Sequence, residues 1–193
     1  MLVKRKSQNG KVCNMKVKIM QQTLQIAIIA LVFAVLVGCG QNSAVRDLEE
    51  QNKALMQRIH AEVSNGNLGI FDEVLTPDYV RHCQAMPPGL QEIRDTAVFK
   101  AFVADFVNAV SDCKDEIDFI IADSNMVAYV TTTTGIQTGP IGDLPASGKE
   151  FMLKNIVIQR IENGKVAETW ISWDNVAMLT QLGFFPPAES EQP

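Results

Sequence analysis

The chain has 193 residues, 47% of them apolar, with 17 basic and 22 acidic side chains. Six basic residues (Lys4, Arg5, Lys6, Lys11, Lys16 and Lys18) precede Cys39, so the rest holds 11 against 22 acidic ones, a formal charge of −11. That balance argues against nucleic-acid binding, which needs cations to neutralise phosphates, and it keeps the protein off anionic lipid except through a tether.

Residues 1–38 carry those six cations and no acidic residue, and an apolar run extends from Leu24 to Val37 with Gln25 its only interruption. A basic flank, a short apolar core and small residues before a break are the order of a secretory signal. The run is also shorter than the ~20 residues of a spanning helix. Residues 39–47, with the polar stretch Gln41–Ala44, read as a linker. The part from Cys39 onward has 155 residues, the size of one domain with one core.

Leu55, Ile59 and Val63 recur every four residues, with Met56 and His60 beside them, which predicts a helix from Leu48 to about Asn65. Asn65-Gly66-Asn67 stops it. Leu68–Leu75 reads as a second helix, Asp78–His82 as an extended piece, and Pro87-Pro88-Gly89 as a loop. Val98/Phe99, Phe102/Val103 and Phe106/Val107 give a helix over about Gln91–Val110 a wide apolar stripe that needs burial. The period then shortens. Ile117, Phe119 and Ile121 alternate with polar residues, so Asp115–Ala122 is a half-buried strand. Met126–Gln137 is a second strand, rich in Val, Tyr and Thr. Gly135–Gly148 is a loop, and Phe151–Ile161 a third strand. Asn163-Gly164 is a strong hairpin signal that returns Lys165–Asp174 as the fourth strand. Asn175–Leu182 is a closing helix, and 185–193 is a polar tail. Helices followed by antiparallel hairpins make an α+β domain over 48–184, in which a curved sheet folds over the helices as a cone with an internal pocket.

Two groups of residues resemble known families. Leu36-Val37-Gly38-Cys39 resembles the lipobox of bacterial lipoproteins, which implies that Cys39 receives a diacylglycerol and becomes the N-terminus. The order Leu75-Thr76-Pro77-Asp78-Tyr79-Val80-Arg81-His82, Pro87-Pro88-Gly89, Gly142-Asp143-Leu144-Pro145, Ser147-Gly148-Lys149, Arg160–Trp170 and Trp173-Asp174 resembles a second family. This is the SnoaL-like polyketide cyclase, or predicted ester cyclase, branch of the nuclear transport factor 2-like superfamily. The resemblance spans about 51–184. It implies a cone-shaped barrel of a curved, mostly antiparallel sheet wrapped around N-terminal helices. It also implies a hydrophobic pocket and acid/base chemistry by an aspartate, without metal or organic cofactor.

In those cyclases the last strand carries His-Trp-Asp, and the matching residues here are Thr169-Trp170-Ile171. Ile171 cannot move a proton, so the family's acid/base position is vacated. Two residues could replace it. Asp174 either rejoins the pocket or caps the helix at Asn175, the role such a side chain more often takes. His82, which in the family borders the cavity mouth, either exchanges protons, as histidines do near neutrality, or is a loop histidine. His60 either donates into the cavity or fills space. Asn155 and Gln137 match polar cavity positions and could bind a ligand carbonyl, and Trp173 is core or pocket wall. Cys83 and Cys113 are either a disulfide of an oxidising compartment or two buried thiols. Two distant histidines and no paired-cysteine spacing argue against a metal site.

These readings make the protein a lipid-anchored domain of the bacterial cell envelope, facing the periplasm or exterior, that binds a small apolar or polyketide-like molecule. Its alternatives are an active cyclase or isomerase, and an envelope interaction module, with a homodimer through the sheet open to all three. Mass spectrometry of membrane-extracted protein should find a diacylated Cys39 at the N-terminus; a mature protein beginning elsewhere would refute the lipoprotein reading.

Overall fold

The structure, a computed structural model, describes Gln25 and residues 43–185. The rest of the segment read as a signal, Cys39 with the lipobox-like residues before it, and the tail beyond Phe185 lie outside the described residues. The chain divides into two compact units between Arg46 and Asp47, and the sheet belongs to the one that begins at Asp47. Among the described residues no helix is long and apolar enough to cross a membrane.

Residues 43–64 are helical, so the expected linker over 39–47 is helical from 43 on; Ala44, Arg46, Leu48 and Glu49 are all good helix formers. This helix is α1. After it come α2 (Ile70–Val74), β1 (Leu75–His82), β2 (Glu92–Ile93), α3 (Thr96–Ala109), β3 (Val110–Asp123) and β4 (Met126–Gln137). β5 (Glu150–Glu162), β6 (Lys165–Trp173) and α4 (Asn175–Leu182) complete the order. The six strands form one sheet in the order β2-β1-β6-β5-β4-β3. Only β1 and β6 pair in parallel; the other neighbours are antiparallel. The sheet is therefore a curved, open six-stranded one, with β2 and β3 as its two edges, in a mixed α+β fold.

Most element boundaries follow local chemistry. Asp95 starts α3 by accepting hydrogen bonds from Ala97 N at 2.7 Å and Val98 N at 3.3 Å. The helix thus begins five residues later than its apolar stripe suggests, and Glu92-Ile93 are released to pair with His82 and Arg81. β1 begins earlier than expected because Leu75 already pairs with Val166. Pro77, which has no N–H to give, falls where that register shifts. Asn163 and Gly164 both take positive φ (50° and 74°), the geometry of the tight turn that joins β5 to β6.

β3 departs most from its sequence pattern. It follows α3 without a loop, and its pairing with β4 shifts twice, between Ser111 and Lys114 and between Ile117 and Phe119. Asp112, with φ of 50°, sits in the first irregularity. The second shift reverses the alternation. Ile117, Ile120 and Ala122 pack on the core, while Phe119 and Ile121 are 58% and 62% exposed. The single buried face expected from Ile117, Phe119 and Ile121 is therefore split between the two sides of the sheet. Close approach elsewhere needs a glycine, since a Cβ on Gly135 would stand 2.3 Å from Val110 Cγ1.

The concave face packs in two apolar clusters. The larger joins Met56, Ile70, Phe71, Val74, Tyr79, Val127, Tyr129, Val157 and Val166, with Phe99, Val103 and Ile171 against it. Each such fully buried apolar side chain contributes roughly 1.5–3 kcal/mol. The smaller holds Val110, Phe151, Leu153, Met178 and Leu182, with Phe106 and Trp173 alongside. The α3 stripe bridges both clusters but stays half-buried, with Val98 exposed.

Cys83 and Cys113 are free thiols, so the disulfide alternative is corrected to two unpaired cysteines. Cys83 follows β1 and Cys113 lies in β3, with β6, β5 and β4 between those strands. Four strand spacings amount to roughly 15–20 Å, far beyond the Cα separation a disulfide spans.

Candidate functional site

Strand register decides which side chains share the concave face. Asp115 of β3 pairs with Thr133 of β4, and Thr131 pairs with Asn155 of β5, which in turn pairs with Trp173 of β6. These positions lie between the two apolar clusters, so a polar belt crosses an otherwise apolar surface. α1 supplies the remaining member, His60, one helical turn beyond the core residue Met56.

The belt is internally bonded. His60 Nδ1 lies 2.9 Å from Asp115 Oδ2, and Thr133 Oγ1 donates to Asp115 Oδ1 at 2.8 Å. Asn155 Nδ2 donates to Thr133 Oγ1 at 2.7 Å and to Thr131 Oγ1 at 3.0 Å. Burial works to raise the Asp115 carboxyl. The hydrogen bond and charge of His60, with hydrogen bonds from Thr133 and Thr131, outweigh it and hold the group below the usual carboxylate range. Tyr129 meets the His60 ring edge-on at 5.3 Å, and its own burial pushes its phenol well up.

This arrangement fixes the imidazole by one nitrogen. With Nδ1–H given to Asp115, Nε2 is the free ring nitrogen, a donor in the imidazolium and an acceptor in the neutral ring, and among the described residues nothing is hydrogen-bonded to it. A carboxylate that orients a histidine and sets its tautomer is a general acid/base geometry. The network is also reachable, since the side chains of His60 and Asp115 keep 17% and 32% of their exposure. Two clefts lie elsewhere. The larger, of about 550 Å³, is lined by Asp112, Lys114, Glu150 and Gln181 among others, and neither cleft is lined by His60, Asp115 or Asn155.

The structure brings together His60, Asn155 and Trp173 of the residues expected from sequence, and it separates Gln137, His82 and Asp174 from them. Trp173 is on the concave face beside Asn155, packed in the smaller cluster with its indole Nε1 buried and without an acceptor. Gln137 is fully buried at the end of β4, where Nε2 donates to Pro145 O at 3.1 Å and pins the following loop. His82 is not at a cavity mouth. It lies on the outer side of the sheet, stacked on Trp170 at 5.5 Å, with Nε2 2.8 Å from Glu168 Oε1 and Nδ1 3.5 Å from Glu92. The alternation of β1 explains this, because Tyr79 and Arg81 take the inward positions. That hydrogen bond, helped by Arg160, holds the Glu168 carboxyl below its usual range. Asp174 is a cap, accepting from Ala177 N at 2.9 Å. Ile171 does face inward and packs on the larger cluster.

Sequence reasoning missed Asp115, Thr131, Thr133 and Arg81. A usable signal existed for Asp115, which is two residues from Ile117 and so shares its face.

Known proteins share this fold. The sequence profile of the SnoaL-like polyketide cyclases matches residues 54–182. The chain belongs to that family. No curated protein sequence matches it significantly. Among solved structures it is similar to a SnoaL-like protein from Jannaschia sp. CCS1, with 21% identity and a TM-score of 0.65 over 72% of this chain and 96% of that one. TsrD from Streptomyces laurentii shares 26% identity at a TM-score of 0.62, covering 70% and 97% of the two chains. IdmH from Streptomyces antibioticus, named as a candidate polyketide cyclase, shares 24% at 0.60, covering 69% and 99%. The open curved sheet with its N-terminal helices is thus the nuclear transport factor 2-like fold of this SnoaL-like domain.

The depressed Asp115 carboxyl has a consequence for stability. A carboxylate whose folded pKa lies below its unfolded value (near 3.9 for Asp) stabilises fully above that value. The contribution fades as pH falls through the folded pKa. Calorimetry of wild type and Asp115→Asn should therefore show their largest melting difference above about pH 5 and a shrinking one toward about pH 2. A difference constant across that range would remove Asp115 from the ion pair.

Proposed function

We propose that this SnoaL-like domain binds a small, mainly apolar carbonyl compound on its concave face and is held at the cell envelope by a lipid on Cys39. The observation that carries the binding half is the polar belt. Both Asn155 amide hydrogens are already committed to threonines, so Asn155 Oδ1 is left to accept from a ligand hydroxyl, and His60 Nε2, a donor when the ring is an imidazolium, is left to meet a carbonyl. A belt of few oriented polar groups between apolar clusters is the composition of small-molecule sites, and the half-buried Phe99, Phe102 and Phe106 of α3 suit the opposite wall. The lipobox at Cys39 and the acidic charge of the remaining chain support the tether.

A second reading, catalysis, is favoured by the oriented His60–Asp115 pair. His60 Nε2 would take a proton from carbon next to the ligand carbonyl, replacing the acid/base group lost at Ile171. His82 and Asp174, set on the outer face and at a helix cap, do not serve this reading.

A thermal-shift screen of lipophilic ketones and esters should find stabilising compounds, because a ligand specific to the native state at a hundred times its Kd adds about 2.7 kcal/mol. Asn155→Leu should weaken them. Absence of any stabilising compound would overturn the binding reading, and turnover abolished by His60→Ala would establish catalysis.

The outer face supports a homodimer. Phe119, Ile121, Ile156 and Met152 are 58–62% exposed there, and Ile121, Ala128, Ile158 and Trp170 follow one another across four strands. Contiguous apolar patches of this kind mark association surfaces, and one patch used by both copies satisfies two-fold symmetry. Sedimentation should show a dimer for wild type and a monomer for Ile156→Lys; a wild-type monomer would refute it.

A further inference from the structure

Arg81 presents a problem that the polar belt does not solve. Its side chain points to the concave side of β1 and the residue is only 4% exposed. Among the described residues it makes no ion pair and no hydrogen bond, and its Nη1 is buried without an acceptor. The guanidinium instead lies over the ring of Phe102 on α3, whose centroid is 4.9 Å from the guanidinium carbon. A cation–π contact offsets only part of the cost of taking a guanidinium out of water. Buried arginines ordinarily have carboxylates to pair with.

The neighbouring residues are polar and also incompletely bonded. Arg81 pairs with Thr169 of β6, and Thr169 with Gln159 of β5, so the three occupy one row across three strands. Gln159 Nε2 donates to Thr169 Oγ1 at 3.1 Å, but Gln159 Oε1 is buried with no donor. Burial pushes the phenol of Tyr79, two residues before Arg81, up to about 12, against the opposite pull of Thr169 and Arg81. Tyr79 is therefore neutral at ordinary pH and supplies no counter-charge.

We infer that the inner face beside α3 binds a carboxylate, with Arg81 as its counter-ion and Phe102 and Phe99 against the adjoining apolar part. The guanidinium fork matches the two oxygens of a carboxylate. Gln159 Oε1 can accept from a hydroxyl carried next to that group. The inference deepens the proposed function, since it rests on the concave face holding a ligand and narrows that ligand to an apolar carboxylate.

The test uses the full-length chain in a neutral detergent with two water-soluble probes, 4-phenylbutyrate and its methyl ester, read by thermal shift and calorimetric titration. Wild type should bind the carboxylate at least about tenfold more tightly than the ester. Arg81→Met should erase that preference, and Arg81→Lys, which keeps charge without the fork, should retain part of it. Without probe, Arg81→Met should melt at or above wild type, because replacing an uncompensated buried ion by an apolar side chain of similar size is neutral or stabilising. A merely structural arginine would instead lower the melting temperature. Ester bound as well as carboxylate would leave the ligand reading standing and overturn the carboxylate. Carboxylate binding sensitive to Arg81→Met but indifferent to Asn155→Leu would uphold Arg81 and overturn the polar belt as the site. Binding of neither probe would overturn the inference, while ketone or ester hits from the wider screen would keep the proposed function.

Discussion

The bulge between Ile117 and Phe119 lets the two halves of β3 present opposite parities to the concave side, and much of the molecule's organisation depends on it. Before the bulge, Asp115 and Ile117 face inward; after it, Ile120 and Ala122 do. Phe119 and Ile121 are turned out, where they join Val130, Ile156 and Ile158 on the sheet's convex face. A regular strand would have driven Phe119 and Ile121 into the interior beside the polar belt. The interior would then have been more apolar and the outer face less so. Bulges recur where a side chain has to be re-aimed, and here one inserted residue supplies both the belt and the outer patch.

Within the concave face, two polar groupings meet the cost of burial differently. Asp115 is surrounded by donors from two elements, α1 and β4, and Asn155 is held by two threonines, so the belt is nearly self-sufficient. An unpaired buried donor or acceptor costs about 1–3 kcal/mol, and more for a charge. His60, Thr131, Thr133 and Asn155 avoid most of that cost by bonding within the belt. Arg81 does not, and neither do Gln159 Oε1 and Trp173 Nε1. The fold thus satisfies one buried polar cluster internally and leaves another unpaired.

The SnoaL-like fold hosts more than one chemistry, so membership alone does not assign a reaction. The concave face keeps its apolar and its titratable positions on different strands. Ile171 occupies an inward position and packs on the larger cluster, while a carboxylate stands instead on β3, at Asp115, paired with a histidine from α1. The inward face thus carries one titratable pair, between α1 and β3. An oriented pair of this kind suits both binding and proton transfer, and the geometry accommodates both.

The sequence by itself determined the elements whose signals are local. The four-residue spacing of Leu55, Ile59 and Val63, the Asn163-Gly164 turn, the limits of β4 and of α4, and the α+β class all depend on short-range periodicity and turn chemistry. His60 was also legible as a candidate beside the apolar face of α1, and Asn155 through the resemblance to the family's polar cavity positions. Tertiary structure alone decided what those candidates meet. Strand register joined Asp115 to Thr133 and Thr131 to Asn155, and helix packing laid His60 against Asp115 from 55 positions earlier in the chain. The parallel pairing of β1 with β6 sent Arg81 inward and His82 outward, and four strand spacings kept Cys83 from Cys113. Each of these depends on register or parity. A shift of one residue moves every side chain to the other face, and the hydrogen bonds that set the shift lie between strands distant in sequence.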